Sequence, residues 1–207
     1  VKEYDHVVST MPLPQLVSRL DGVSEEVLAA AKSLRFRNTI LVYLNVDAGE
    51  LFPDNWVYVH SPELLFGRIT NFRNWSPSLY GSEKSSIITL EYWCNEDDDI
   101  WRWEDERLIG LAKDEVSRAG LVKAGMASEG YVHRISKCYP VYSAGYKRLL
   151  GPVENYLRKM EGLTVIGRYG AFKYNNQDHS ILMGILAADN IANGARNDLW
   201  AINTDYE

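Results

Sequence analysis

The 207-residue sequence is poor in cysteine, with only Cys94 and Cys138. Two thiols so far apart exclude a disulfide framework and a cysteine pair at metal-ligand spacing, and they point to a reduced, cytoplasmic setting. Histidine is also scarce: His6, His60 and His133 have no spacing that makes a metal set, so metal catalysis is not expected. No serine stands in a nucleophile-elbow context, which removes a hydrolase triad from consideration. No apolar run approaches the roughly 20 residues needed to cross a bilayer, and no charged start leads into an apolar signal core. Internal repeats, low-complexity tracts and flexible linkers are absent as well, so the elements should pack as one body with two regions.

What is present is the composition of a globular protein. Hydrophobic residues make up 46% of the chain and charged ones 24%, enough to bury a real core. The formal net charge of -6 argues against nucleic acid or an anionic membrane surface as the main partner. The chain enters at Val1 rather than methionine and runs straight into a β-rich stretch, His6 to Thr10. This suggests that sequence precedes it, although a processed N-terminus gives the same pattern.

Met11-Pro12-Leu13-Pro14 ends that first strand, since proline cannot continue a ladder. Asp21 or Ser24 caps a helix through Glu25, Val27, Leu28, Ala31 and Leu34, with Glu25 and Glu26 in the first turn, where the helix dipole favours acids. From Phe36 the texture becomes β. Thr39 to Val46, Trp56 to His60, Phe66 to Phe72 and Ser85 to Trp93 are rich in Ile, Val, Thr and aromatics and read as an antiparallel sheet. Asp97, Asp98 and Asp99 lead into an amphipathic segment, Ile100 to Ala119, in which Trp103, Leu108, Leu111 and Val116 share a face. A β stretch from Gly130 to Tyr142 and a helix from Ala144 to Lys159 follow, closed by the stop signal Gly162.

The most informative stretch runs from Val165 to Asn190: a strand, a glycine turn, a polar loop and a helix from Ser180 to Asn193. Glycines at 167 and 170 would let backbone approach a flat or anionic ligand, and the first N–H groups of the helix could donate to a negatively charged oxygen. The residues alone fit an ordinary crossover equally well, with Asp178 as a helix cap and Gly184, Ala187 and Ala188 serving close helix-to-sheet packing.

Gly-Arg-Tyr-Gly-Ala-Phe-Lys-Tyr-Asn-Asn-Gln-Asp-His-Ser, residues 167–180, resembles the C-terminal flavin motif of a family of FAD-dependent oxidoreductases that includes flavin amine oxidases, protoporphyrinogen oxidases and UDP-galactopyranose mutases. The likeness extends to Gly67–Pro77, Leu90–Cys94, Tyr139-Pro-Val-Tyr142 and Asp198–Asp205, nearly the whole chain. Tyr169 and Phe172 depart from the family's pattern. The Gly-x-Gly-x-x-Gly loop with which such proteins hold the FAD pyrophosphate does not occur here. The resemblance therefore implies the C-terminal part of such an enzyme, inactive by itself, whose partners are its missing N-terminal half, a small-molecule substrate and, through exposed apolar surface, a second copy in a homodimer.

The fold implied is α+β: a mostly antiparallel substrate-domain sheet with helices at 36–159, and terminal pieces of an incomplete Rossmann-like FAD domain at 1–35 and 160–207. The strands near Val7 and Val165 should then lie side by side. FAD is the implied cofactor, with Gly167, Arg168, Gly170, Asp178, His179 and Ser180 as its contacts; the helix N–H groups would face the flavin C2 carbonyl. Arg68, Trp75 and Tyr139 are the implied substrate residues. Arg68 reads as an anion clamp or as a salt-bridge arginine, Trp75, Tyr139 and Tyr142 as a ligand wall or as core, and His179 as a flavin neighbour or a structural hydrogen bonder. No residue is singled out as catalytic. Net redox chemistry, a mutase reaction and a non-catalytic binding domain all remain open.

Overall fold

The structure, a computed structural model, describes residues 2–202; Val1 and 203–207 lie outside it, and with them the end of the Asp198–Asp205 stretch. Along the chain the elements are β1 (Val7–Ser9), α1 (Leu13–Val17), α2 (Glu25–Ser33), β2 (Phe36–Val46), β3 (Trp56–Tyr58), β4 (Arg68–Asn71), β5 (Ser86–Cys94), α3 (Asp105–Arg118), β6 (Ala127–Pro140), α4 (Tyr146–Leu157), β7 (Leu163–Val165), α5 (Gly167–Gly170) and α6 (Gln177–Asn193). They form two compact units, one of residues 37–136 and one that joins 1–36 to 137–207. The middle unit thus ends at 136, and the rest of the 36–159 segment, α4 included, clusters with the chain ends.

The middle unit is an antiparallel sheet in the order β3-β4-β5-β2-β6 with α3 on one face. Strand alternation places Ile40, Val42, Leu44 and Val46 of β2, and Ile88, Leu90 and Tyr92 of β5, on the buried side. There they meet Leu108, Ala112 and Val116 of α3. Each fully buried Leu or Ile contributes about 1.5–3 kcal/mol. Glu115 is buried on the same helix and is fully engaged: it accepts the Leu65 N–H at 2.6 Å and the Tyr92 hydroxyl at 3.0 Å. Burial, and then the Glu115 charge, push the Tyr92 phenol well above its ordinary range.

In the terminal unit β1 and β7 pair in parallel, Val7 opposite Leu163 and Ser9 opposite Val165, as expected for strands of one sheet. Leu13 and Val17 of α1, Val27 and Ala31 of α2, and Leu150 and Val153 of α4 build one core with Val165 and Phe172; Met183 and Ala187 of α6 build another with Ile166 and Leu199. Ser24 caps α2 by accepting the Val27 N–H. Two short helices, α1 and α5, stand where the sequence suggested only turns. Helix α6 begins at Gln177 rather than Ser180, so Asp178 lies inside its first turn; the cap position is Asn176, which makes no side-chain cap bond.

Candidate functional site

Because β1 and β7 are parallel, their carboxyl ends point the same way, and a cleft of about 640 Å³ opens there. Thr10, just past β1, and Gly167, Arg168 and Tyr169, just past β7, line one part of it; Asn175, Asn176, Gln177, Ser180 and Ile181 bring the loop before α6 and its first turn to the other. Crevices outside the carboxyl ends of parallel strands are where open α/β sheets bind ligands.

The two glycines of the motif have different roles. Gly167 has φ +82°, and a Cβ there would meet nothing within 4 Å. Glycine serves the left-handed backbone and leaves the cleft open, since an L side chain in that conformation costs about 1–2 kcal/mol. A Cβ on Gly170 would instead lie 2.8 Å from the Ser9 carbonyl oxygen and 3.2 Å from Thr10 Cα. Gly170 lets α5 close on the end of β1 and is not on the cleft wall. Gly184, read as a close-packing position, has nothing within 4 Å of its ideal Cβ.

Arg168 organises the motif. Its Nε donates to the Asn175 carbonyl at 3.0 Å, Nη2 donates to the same oxygen, and the guanidinium lies over Tyr139 at 4.9 Å and Tyr174 at 5.4 Å from the ring centroids. Tyr139 and Tyr174 stack on each other at 5.4 Å. The Tyr142 hydroxyl accepts the Tyr174 N–H at 2.8 Å, and its ring stacks on Tyr146 at 4.3 Å. The structure therefore joins Tyr139, assigned to substrate, to Arg168, assigned to cofactor. Phe172 is a core residue, fully buried and packed edge-on against Phe36. Burial, before the neighbouring Cys138 and against Arg168, raises the Tyr169 phenol and keeps it neutral at the cleft.

Asp178 is exposed and bonds to His179, Oδ1 to Nδ1 at 2.8 Å. The His179 backbone N–H, ahead of the ring, holds this carboxyl below its ordinary range. Both residues stand beside the cleft, while Ser180 and Gln177 are on its wall. The first i→i−4 bond of α6 runs from Ser180 to Asn176, so the Gln177 amide has no helical partner.

Arg68 and Trp75 belong to the middle unit. Arg68 binds Glu91 through two parallel bonds, Nε to Oε1 at 2.7 Å and Nη2 to Oε2 at 2.8 Å, and reaches the Tyr58 hydroxyl at 3.2 Å. The salt-bridge reading is the one the geometry shows. Trp75 is half exposed and stacks on Trp56 at 5.5 Å, so it is not core. Arg68 and Glu91 share the sheet face that looks away from α3. On that face, among the described residues, four buried polar atoms have no partner: Thr39 Oγ1, Asn45 Oδ1, Thr89 Oγ1 and Trp93 Nε1. Sequence alone missed these, together with Thr10, Tyr174 and Asn175; Trp93, Tyr174 and Asn175 lay in stretches already marked by the resemblance. Among the described residues no group of His, Cys, Asp and Glu could hold a metal, and no helix is long and apolar enough to cross a membrane.

No known family profile matches the sequence. The fold is similar to that of reduced UDP-galactopyranose mutase, with TM-score 0.81 and 24% identity over 94% of this chain and 42% of that one. It is also similar to a protein assigned as a protoporphyrinogen oxidase from Exiguobacterium sp. 255-15 (TM-score 0.60, 19% identity, 80% of this chain and 36% of that one). A putrescine oxidase double mutant from a structure-based redesign of cofactor binding gives TM-score 0.61 at 14% identity, over 90% of this chain and 42% of that one. The chain spans less than half the length of each.

Proposed function

We propose that the chain is the C-terminal portion of a FAD-dependent oxidoreductase, supplying the flavin-end contacts and the substrate-side sheet. The observation that carries this reading is the cleft at the carboxyl ends of β1 and β7, where the flavin-like motif opens with the left-handed Gly167 and closes on the first turn of α6. The residues fit such a group: the space above Gly167 is clear, the Gln177 amide is free at the positive end of a 17-residue helix, and Ser180 adds a hydroxyl. When bound, a flavin supplies the hydride and electron chemistry, and the protein need only place substrate and tune charge.

In this reading Gly167, Gln177 and Ser180 hold the flavin end, and Arg168 fixes the loop that presents them. Gly170 acts by letting α5 close on the end of β1, and Asp178 and His179 act through the charge of the start of α6. Arg68, through Glu91, keeps the substrate-side face of the middle unit ordered and Trp75 adds aromatic surface there for a small-molecule substrate, while Tyr139 adds aromatic surface within the terminal unit.

A mutase reaction is the second reading, favoured by the higher TM-score to UDP-galactopyranose mutase than to the oxidases. The test is the visible absorbance of the polypeptide complete with its N-terminal half, the full-length protein, purified intact beside the 207-residue chain. A yellow full-length protein and a colourless chain are expected. A full-length protein without flavin, even after incubation with FAD, sinks the proposal. Turnover of a sugar nucleotide by the full-length protein with its flavin reduced, without net electron transfer, would decide for the mutase.

A further inference from the structure

The middle unit carries a cleft of its own, of about 730 Å³, that shares no residue with the one at Gly167. It lies where β2 ends and β5 begins: Gly49, shortly after β2, and Lys84, shortly before β5, both line it. The Arg68–Glu91 pair stands farther along β5, roughly 16 Å from Ser86 at the rise of an extended strand. The cleft is therefore separate from the Arg68 face as well.

Arg73, in the turn after β4, is built into this cleft with part of its guanidinium unspent. Nη1 donates to the carbonyls of Glu83 at 2.9 Å and Ser85 at 3.0 Å, and the guanidinium lies over the Tyr80 ring at 3.7 Å from its centroid. These contacts tie down the turn before β5 and take two of the five N–H donors of a guanidinium. Nε and Nη2 carry the other donors and have no acceptor among the described residues. A Cβ on Gly49 would lie 3.6 Å from Nη2 and 3.3 Å from the Lys84 carbonyl oxygen, so glycine keeps the space beside Nη2 open.

The other wall is apolar and equally fixed. Asn74 Nδ2 donates to the Phe52 carbonyl at 2.8 Å and to the Asp54 carbonyl at 2.9 Å, which holds Leu51, Phe52 and Pro53 along the cleft. Lys84 is exposed and pairs with no acid among the described residues. Glu50 is the acid of the lining, so two cations against one carboxylate leave a single net positive charge.

We infer that this cleft is a binding site for a small organic monoanion, a carboxylate with an aromatic or apolar body. The unspent edge of Arg73 presents two parallel donors, the geometry that takes both oxygens of a carboxylate, and Lys84 adds a point charge. Leu51, Phe52 and Pro53 receive the body, and the volume is in the range of small-molecule sites. Glu50 sets the charge limit, because a dianionic phosphate exceeds the cationic excess of the lining. Both walls are held by their own hydrogen bonds, so little ordering is left to be done on binding.

Calorimetric titration of 3-phenylpropionate into the full-length protein tests the inference. It should bind saturably, whereas acetate, which lacks the ring, and 3-phenylpropanol, which lacks the charge, should bind about tenfold or more weakly. Lys84→Gln removes a charge and no hydrogen bond, so it keeps the fold and should weaken 3-phenylpropionate about threefold. Gly49→Leu sets a side chain beside Arg73 Nη2 and should weaken it about tenfold or more. Absence of saturable binding overturns the inference, and so does full affinity in both variants. Loss of affinity in Arg68→Ala with Lys84→Gln unaffected moves the anion to the Arg68–Glu91 face and overturns it too. Tighter binding of phenyl phosphate than of 3-phenylpropionate overturns the choice of a monoanion.

Discussion

Arg168 donates from Nε and Nη2 to the carbonyl oxygen of Asn175, seven residues later, and this fork closes the loop between α5 and α6. Asn175 is buried, so its carbonyl depends on the guanidinium for a partner. Lysine offers a point charge without the planar fork. Arg168→Lys should therefore destabilise the chain by about 1.5–3 kcal/mol, the range for a hydrogen bond to a charged group, read as a lower urea midpoint at an unchanged slope. An unchanged midpoint would show that the loop is held by something else.

The glycines predict an order of sensitivity. Gly170→Ala places a methyl 2.8 Å from the Ser9 carbonyl oxygen, where backbone must move, and should cost about 1–3 kcal/mol. Gly167→Ala meets no atom but must hold φ +82°, at about 1–2 kcal/mol. Gly184→Ala in α6 is unobstructed and should stabilise the 207-residue chain by about 0.5–1 kcal/mol. Thermal melting of the three variants ranks them; a destabilising Gly184→Ala would contradict the open space around it.

Arg68 and Glu91 should be coupled more strongly than a surface pair. The contact is bidentate, and the Glu91 side chain is only 8% exposed. Exposed pairs contribute about 0–1 kcal/mol, while removing one partner of a buried pair costs about 3–5 kcal/mol. With Arg68 partly exposed, Arg68→Ala should fall between, near 2 kcal/mol. A double-mutant cycle with Glu91→Gln measures the coupling, and a value near zero would free Arg68 for an anion-clamping role.

Much of this fold could be read from the sequence because its strands and helices carry strong local signals. The alternation of Ile40, Val42, Leu44 and Val46 with half-buried neighbours marks β2, and Ser24 before Glu25 and Glu26 marks the start of α2. The helices α1 and α5 could not be read, because both begin beside proline or glycine and owe their turn to the packing of Leu13 and Gly170. The pairing of β1 with β7 was legible only through the family resemblance: two three-residue strands at opposite ends of the chain, Val7 opposite Leu163, announce no partner locally. The site was legible as a motif, but its geometry was not. Nothing in the order of residues says that Gly167 opens a cleft while Gly170 closes on a strand.

Acid should loosen the end of the chain through Asp198. Its Oδ1 accepts from Arg158 Nη2 at 2.8 Å and from the Trp200 N–H at 3.0 Å. Burial acts to raise this carboxyl, but the bonds from Arg158 and Trp200 outweigh it and leave the pKa below its ordinary range. A carboxyl depressed by folding adds stability above its unfolded value, near 3.9, and that part is lost as pH falls through the folded value. The pair is about half exposed, so the effect should stay below about 1 kcal/mol. Asp198→Asn should thus lower stability slightly at pH 7 and flatten its decline below about pH 4. Parallel pH curves for the two proteins would remove Asp198 as the cause.

Cofactor retention gives the sharpest outcome, because the cleft assigns different roles to neighbouring residues of one motif. In the full-length protein a Gly-rich loop would hold the pyrophosphate, and the 207-residue chain would supply only the flavin end. Each lost hydrogen bond to a charged phosphate oxygen removes about 1.5–3 kcal/mol, so the chain alone should bind FAD several orders of magnitude more weakly. Within the full-length protein, Gly167→Val combines a disfavoured φ with a side chain directed into open space at the cleft, and should release flavin during gel filtration. Asp178→Asn should not, because Asp178 is exposed, paired with His179 and off the cleft wall; it should alter the flavin reduction potential only slightly. Ser180→Val removes a hydroxyl from the wall and should fall between the two. Titration of each apo-protein with FAD, followed by fluorescence quenching, measures the order. If Asp178→Asn weakened binding more than Gly167→Val, the flavin end would lie over the outer face of the first turn of α6 and not in the cleft between Thr10 and Gly167.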